Sequence, residues 1–316
     1  MLPPAPHRIL MADHFRDALA EELARARPEL ELRTRDRHDV TRDDLQWADC
    51  YLGFRPPTEV DLEHVRWVHG TGAGLDAFLF RRRFPTDVLL TRTSESFGPK
   101  IGEYCAARAL AETQELLAFG ADQRARRWDT RDIRMLAGTN AVIVGTGDVG
   151  RGIAAALSAL GVRVEGVSRT GAARPPFDAT HPSAQLGAIV GGCDWLILAA
   201  PLTESTWHLA DASLFTACRG NYLINVGRGG LVDESALLKA LDGGAVRGAA
   251  LDVFEVEPLP VDSPLCTHPR VSISQHVSGL STVANAARGF LDALASLARG
   301  DRPPMTVAVT RGSSRG

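Results

Sequence analysis

Gly145-Thr146-Gly147-Asp148-Val149-Gly150 is the stretch whose reading decides the fold. It spells G-x-G-x-x-G, follows the apolar run Ala141–Val144 and opens the helix-forming run Arg151–Leu160. Alone the pattern is a weak signal. Between a strand and a helix it reads as the phosphate turn of a dinucleotide-binding fold. The first glycine permits the tight turn, the second lets a pyrophosphate approach the backbone, and the third permits close helix–strand packing. Free N–H groups and the positive end of the helix dipole attract the phosphate.

Such folds often carry an acid about 20 residues further on, at the end of the next strand, to bind the ribose 2′-hydroxyl. Here the strand run Arg163–Val167 leads into Ser168-Arg169-Thr170. No carboxylate repels a 2′-phosphate, and a guanidinium is available to pair with it. Charged hydrogen bonds of ~1.5–3 kcal/mol correspond to roughly tenfold or more in preference, so NADP(H) is expected over a still possible NAD(H).

Outward from this turn, short apolar runs alternate with helix formers along the whole chain. Before it, Arg8–Ala12, Leu30–Arg33, Asp49–Phe54, Val65–His69 and Val88–Thr91 read as strands, with a helix over Phe15–Arg27. Ile101–Gly120 reads as one long helix behind Pro99. After it, strands are expected at Ala141–Val144, Arg163–Val167, Trp195–Ala199, Tyr222–Val226, Gly248–Asp252 and Val271–Ser274, and a last helix over Val283–Ala298. Met305–Val309 is strand-like, and the polar tail is expected to be mobile. Apolar runs separated by helices imply parallel strands buried on both faces. The fold class is α/β, with two doubly wound parallel-sheet domains.

Composition narrows the function classes. The chain has 316 residues, which suggests two domains. Lys+Arg 35 against Asp+Glu 38 gives a net charge of −3, which supports no nucleic-acid or acidic-membrane partner. Apolar runs such as Trp195–Ala200 fall far short of the ~20 residues that span a bilayer. Five scattered cysteines, an odd count without Cys-x-x-Cys, point to reduced thiols and a cytoplasmic setting. No metal-ligand spacing such as His-Glu-x-x-His is present, so no metal is expected.

Three later segments carry chemistry. Arg228, in Asn225-Val226-Gly227-Arg228-Gly229-Gly230, follows an apolar run, at the end of a strand where open α/β sheets bind ligands. Its guanidinium can hold a carboxylate or polarise a carbonyl. Leu251-Asp252-Val253-Phe254-Glu255-Val256-Glu257-Pro258 and Ser274-Gln275-His276-Val277-Ser278-Gly279 follow. Singly, each has a bland reading as a capping acid or a satisfied histidine. In order behind a nucleotide turn, their conjunction weighs toward chemistry over the bland readings.

With Ala200–Thr206, Ile224–Asp233 and Ala250–Pro260 added, the sequence resembles the D-isomer-specific 2-hydroxyacid dehydrogenases, nearest the glyoxylate/hydroxypyruvate reductase branch. The first third matches more loosely, at Gly70–Asp76 and Glu103. The resemblance implies a hydride transfer between nicotinamide and C2 of a small 2-keto or D-2-hydroxy acid. It implies that Arg228 grips the substrate, that His276 is the acid/base and that Glu257 pairs with it. Asp252 would stand beside the nicotinamide carboxamide, and Asp148 and Val149 at the pyrophosphate. Pro201, Thr206, Val226 and Gly227 would line the cofactor cleft, and Gly72, Ala73 and Gly74 would bind the substrate carboxylate. Gln275 departs from the proline usual before the histidine.

The resemblance further implies a flavodoxin-like substrate domain over 1–97 and 284–316, a Rossmann domain over 98–283 inserted in it, an active site in the cleft between them, and a homodimer. Phe54, Arg55, His69 and Phe97 are candidate side-chain selectors. A nucleotide-sensing corepressor of the same fold, or an NAD-dependent relative acting on phosphoglycerate or another 2-hydroxy acid, is the alternative.

Overall fold

The computed structural model describes residues 2–93, 97–307 and 309. The chain forms two compact units, Met1–Ser96 with Ser281–Gly316, and Phe97–Leu280. No helix among the described residues is long and apolar enough to cross a membrane.

In the first unit, β1 (Arg8–Met11), β2 (Glu31–Thr34), β3 (Cys50–Gly53), β4 (Trp67–Gly70) and β5 (Leu89–Arg92) pair in parallel in the order β2-β1-β3-β4-β5. Their side chains alternate between two apolar faces. Ile9, Met11, Cys50, Leu52 and Trp67 meet Leu19 and Leu23 of α1 (Arg16–Ala26) and Phe290, Leu294 and Leu297 of the C-terminal helix Val283–Ala298. Leu10, Tyr51, Val68 and Leu90 meet Leu45 of α2 (Arg42–Trp47) and Phe78 of α3 (Asp76–Leu79) on the other face. Burying one such side chain contributes ~1.5–3 kcal/mol. Intrinsic helix propensities differ by only ~0.7 kcal/mol per ordinary residue, so packing sets these helices.

Helix α2 was not expected. Its start is a capping box in which Thr41 Oγ1 accepts from the Asp44 N–H and Asp44 accepts from the Thr41 N–H. His69 corrects another expectation. It is no side-chain selector but a core residue, fully buried and bonded to Thr91 Oγ1 at 2.7 Å and Thr93 Oγ1 at 3.0 Å. Burial pushes its pKa down to about 3, so the ring is neutral. The strand-like Met305–Val309 supplies an isolated antiparallel bridge, Thr306 with Thr91. Ala308 and the tail 310–316, expected to be mobile, lie outside the described residues.

The second unit opens with α4 (Phe97–Thr113) and α5 (Leu116–Arg124), where one helix was expected. Glu115 between them has φ 53°, in the left-handed region. The Thr113 carbonyl accepts from the Arg134 N–H, and the Gln114 amide donates to the Arg134 carbonyl. The returning chain thus takes the Thr113 carbonyl, a helix acceptor, and a side-chain bond from Gln114 at the break.

The strands are β6 (Asn140–Val144), β7 (Arg163–Ser168), β8 (Ala179–Pro182), β9 (Trp195–Leu198), β10 (Asn221–Asn225), β11 (Val246–Leu251) and β12 (Val271–Ile273). They pair in parallel in the order β12-β11-β10-β9-β6-β7-β8. The edge strand β8, polar and half-buried, is additional to the six expected. Helix α6 (Asp148–Ser158) follows β6, and α7 (Leu186–Ile189), α8 (Ala212–Ala217) and α9 (Glu234–Asp242) accompany the other half. Leu196, Leu198, Leu223 and Leu251 bury one face against Leu214 and Leu237. The direction of winding reverses between β6 and β9, which places the ligand crevice at the C-terminal ends of these strands.

Candidate active site

At the end of β6 the chain turns through Gly145, whose φ of +110° only glycine adopts readily. A Cβ on Gly145 would lie 2.6 Å from the Ala199 carbonyl oxygen, and one on Gly150 would lie 1.8 Å from that of Gly145. A Cβ on Gly147 would meet nothing within 4 Å. The turn is therefore closed against the sheet and open at its middle glycine. Gly147 is also the N-cap of α6 and offers no side-chain acceptor to the first turn, whose N–H groups remain available to a phosphate. Asp148 and Val149 form that first turn. The residues present fit a dinucleotide pyrophosphate.

At the end of β7, Ser168 Oγ accepts from the Gly171 N–H at 3.1 Å, while Thr180 Oγ1 donates to the Gly171 carbonyl at 2.9 Å. This short turn carries Arg169 exposed at its tip. After β9, Thr206 Oγ1 accepts from the Thr203 N–H and donates to the Pro201 carbonyl, each at 2.8 Å, so Pro201 and Thr206 belong to one knotted loop.

Arg228 follows β10. Asn225 staples its turn, with Nδ2 donating to the Arg228 carbonyl at 3.0 Å and Oδ1 accepting from the Gly227 N–H at 3.2 Å. Val226 and Gly227 are buried within that turn, and Arg228 Nη1 donates to the Gly227 carbonyl at 2.7 Å.

Asp252 follows β11 and is fully buried. Its Oδ1 accepts from Ser274 Oγ at 2.6 Å and the Val277 N–H at 3.0 Å, and its Oδ2 from the Ser278 N–H at 2.9 Å. Its carbonyl accepts from the His276 N–H at 2.7 Å. Ser274 Oγ meets Tyr104 Oη at 2.6 Å, which extends the chain to α4. Burial opposes ionisation of Asp252, yet these donors outweigh it and hold its carboxyl below the ordinary carboxylate range. One buried acid thus fixes the segment 274–278, in which His276 adopts φ 54°.

Glu257 divides its oxygens. Oε1 accepts from the Phe254 N–H at 3.1 Å, and Oε2 lies 2.9 Å from His276 Nδ1. A carboxylate there accepts the Nδ1–H and orients the ring. Arg228, Asp252 with Glu257, and His276 therefore stand at the C-terminal ends of the neighbouring strands β10, β11 and β12.

In the first unit, Gly72, Ala73 and Gly74 follow β4. The Phe54 ring covers Gly72, where a Cβ would lie 2.6 Å from it. Thr71 Oγ1 donates to Asp13 Oδ2, Arg92 Nη1 donates to the Ala73 carbonyl, and Ser281 Oγ donates to the Thr71 carbonyl at 3.0 Å. The sequence reading missed the support residues Tyr104 and Ser274. It also missed a second pair, His208 Nε2 with Glu255 Oε1 at 2.9 Å. A histidine far from its acid in sequence leaves no local signal.

Residues 106–278 match the family described as D-isomer specific 2-hydroxyacid dehydrogenase, NAD binding domain. Glyoxylate/hydroxypyruvate reductase A of Yersinia enterocolitica is 30% identical over 280 residues, covering 86% of this chain and 90% of its own. The solved D-isomer specific 2-hydroxyacid dehydrogenase of Xanthobacter autotrophicus, in complex with NADPH and MES, is similar at 28% identity with a TM-score of 0.86, covering 96% of this chain and 98% of its own. The NADPH-dependent glyoxylate/hydroxypyruvate reductase of Sinorhizobium meliloti, in complex with NADP and sulfate, gives 27% and 0.82, covering 95% of this chain and 98% of its own. With a nucleotide turn, a clamped arginine and a carboxylate-bound histidine on one parallel sheet, the chain belongs to the D-isomer-specific 2-hydroxyacid dehydrogenase family of oxidoreductases.

Proposed function

We propose that the chain is an NADPH-preferring reductase of small 2-keto acids of the glyoxylate/hydroxypyruvate kind, with Arg228, Glu257 and His276 as its catalytic residues. The observation that carries this reading is the 2.9 Å contact between His276 Nδ1 and Glu257 at the strand end beside that of Arg228. Gly145, Gly147, Asp148, Val149 and Gly150 hold the pyrophosphate, and Ser168 and Arg169 hold the 2′-phosphate. Pro201, Thr206, Val226 and Gly227 line the cofactor. Bound nicotinamide supplies the hydride to C2.

The chain's own residues do the rest. Arg228 draws the substrate carboxylate and carbonyl by paired N–H donors and stabilises the negative charge that develops on the carbonyl oxygen. His276 gives its Nε2 proton to that oxygen, and Glu257 keeps the ring oriented through Nδ1 as its charge disappears. The N–H groups of Gly72, Ala73 and Gly74 bind the substrate carboxylate. Asp252 serves the nicotinamide side by fixing the segment that carries His276. Relatives solved with NADPH or NADP support the cofactor preference, as does Ser168-Arg169 in place of an acid.

Leu116, Leu117, Trp128, Ile133 and Met135, on and after α5, are exposed apolar residues that a second copy could cover, and a homodimer is proposed. The test of the whole reading is a spectrophotometric screen of NADPH and NADH oxidation with glyoxylate, hydroxypyruvate, pyruvate and phenylpyruvate. Turnover with a kcat/KM at least tenfold higher for NADPH is expected. A clear NADH preference removes Arg169 from its role, and absence of turnover on every acid removes the reductase.

A further inference from the structure

Asp13 is a buried acid outside the proposed mechanism. It follows β1, and its side chain is fully buried. The local use for an acid ahead of a helix is to cap it, but α1 begins behind Phe15 with no side-chain cap. Asp13 Oδ2 instead accepts from Thr71 Oγ1, 58 residues further on. Its Oδ1 lies 2.6 Å from His14 Nδ1 but makes no hydrogen bond. A carboxylate removed from water and served by one hydroxyl is a poor stabiliser, because desolvation of the charge exceeds what a single hydrogen bond returns. Stability therefore gives no reason for an acid at this position. The reason lies in what Thr71 carries.

Thr71 is fully buried and stands directly before Gly72, Ala73 and Gly74. Its N–H donates to the Gly53 carbonyl at 3.3 Å, its carbonyl accepts from Ser281 Oγ at 3.0 Å, and its hydroxyl donates to Asp13. On either side, the Gly70 carbonyl accepts from the Thr93 N–H at 2.8 Å and the Ala73 carbonyl from Arg92 Nη1. None of these bonds uses the N–H groups of Gly72, Ala73 or Gly74. The loop is thus hung from its carbonyls and one hydroxyl, and its donors are left to an anion. Asp13 supplies the charged acceptor of this set, and such bonds are the stronger ones.

We propose that Asp13 is a positioning residue for the substrate: through Thr71 it fixes Gly72–Gly74 in the conformation whose N–H groups receive the substrate carboxylate. The inference rests on the proposed reductase function and on Gly72–Gly74 as the carboxylate loop. Asp13 itself touches no reacting atom. The loop binds the carboxylate alike before and during hydride transfer, so its misplacement raises KM and spares kcat.

The experiment measures KM and kcat for glyoxylate at saturating NADPH in Asp13→Ala, Asp13→Asn, Thr71→Val, Thr71→Ser and the double variant Asp13→Ala with Thr71→Val. Asp13→Ala and Thr71→Val are each expected to raise KM about tenfold, with NADPH affinity unaltered by fluorescence titration. Their kcat should stay within roughly twofold of the unaltered protein. Asp13→Asn keeps an acceptor and Thr71→Ser keeps the hydroxyl, so both should return most of the loss. The double variant should cost no more than either single one, because both break the same bond. Asp13→Ala should hold its melting temperature, since the buried charge leaves together with its bond. A lowered melting temperature with KM unchanged makes Asp13 merely structural and overturns the inference while the reductase stands. So do a loss confined to kcat and losses that add in the double variant. If the unaltered protein reduces no 2-keto acid, the reductase falls, and thermal stabilisation by oxamate in the presence of NADPH then reads the loop. Stabilisation that Asp13→Ala and Thr71→Val both lose and Thr71→Ser keeps supports the inference. Stabilisation that every variant keeps, or none in the unaltered protein, overturns it.

Discussion

His276 and His208 each occupy a left-handed backbone position, with φ of 54° and 51°, and each places a ring nitrogen 2.9 Å from a glutamate oxygen. By distance and exposure the two pairs are twins. They differ in which nitrogen is engaged and in what holds the loop. His276 gives Nδ1 to Glu257, so in the proposed mechanism the nitrogen at the tip of the ring is the one that exchanges the proton. His208 gives Nε2, the tip itself, to Glu255. The His276 segment hangs on a buried carboxylate with three side-chain and backbone donors, whereas the His208 N–H is held by the Gly230 carbonyl. A histidine–acid contact is therefore a weak marker of chemistry. The tautomer it selects and the rigidity behind it carry more information.

The comparison can be broken most easily at the rings themselves. His276→Ala is expected to lower kcat by about 10²–10⁴-fold, the usual worth of a positioned acid/base, whereas His208→Ala leaves kcat near its starting value. Equal losses would make the pairs equivalent. Next come the acids. Glu257→Gln removes a charged acceptor worth ~1.5–3 kcal/mol, so kcat is expected to fall roughly tenfold to a hundredfold while Glu255→Gln is nearly silent.

Asp252→Asn sharpens the comparison at the support. Its amide cannot accept at both ends, so kcat should fall about tenfold, as for other groups that orient a site through a neighbour, with little change in NADPH binding. Stability gives a second reading. A native carboxyl held below its unfolded value, ~3.9, stabilises the fold fully above that pH and loses this contribution as pH falls through the lowered native value. Melting curves of Asp252→Asn against pH should therefore be flatter at the acid end than those of the unaltered chain. The smallest effect is expected from Tyr104→Phe, which removes the outer hydrogen bond of the chain at ~0.5–1.5 kcal/mol and should cost kcat only severalfold with the melting temperature nearly kept.

The glycine turn, the parallel strands and the order of Arg228, Glu257 and His276 were legible because each is written in contiguous residues with a local physical meaning. Helix α2 went unread, because its capping box of Thr41 and Asp44 opens a helix of only six residues that passes for a loop. The break at Glu115 was not legible, since good helix formers flank it and Arg134, nineteen residues on, takes the hydrogen bonds. The hub at Asp252 was hidden for the same reason. Its partners Ser274, Val277 and Ser278 lie 22 to 26 residues away, and Tyr104 lies 170 residues from Ser274. Gln275, where a proline is usual, stands inside that anchored segment, and the anchoring by Asp252 holds the neighbouring His276 in place without the ring.

The central claim is that the imidazole of His276 transfers the proton. Its most direct test is NADPH oxidation by His276→Ala with a saturating 2-keto acid, with and without added imidazole, beside a fluorescence titration of NADPH. The account expects lost turnover, unaltered NADPH affinity and recovery that rises and saturates with imidazole. Near-normal turnover by His276→Ala without imidazole would contradict it.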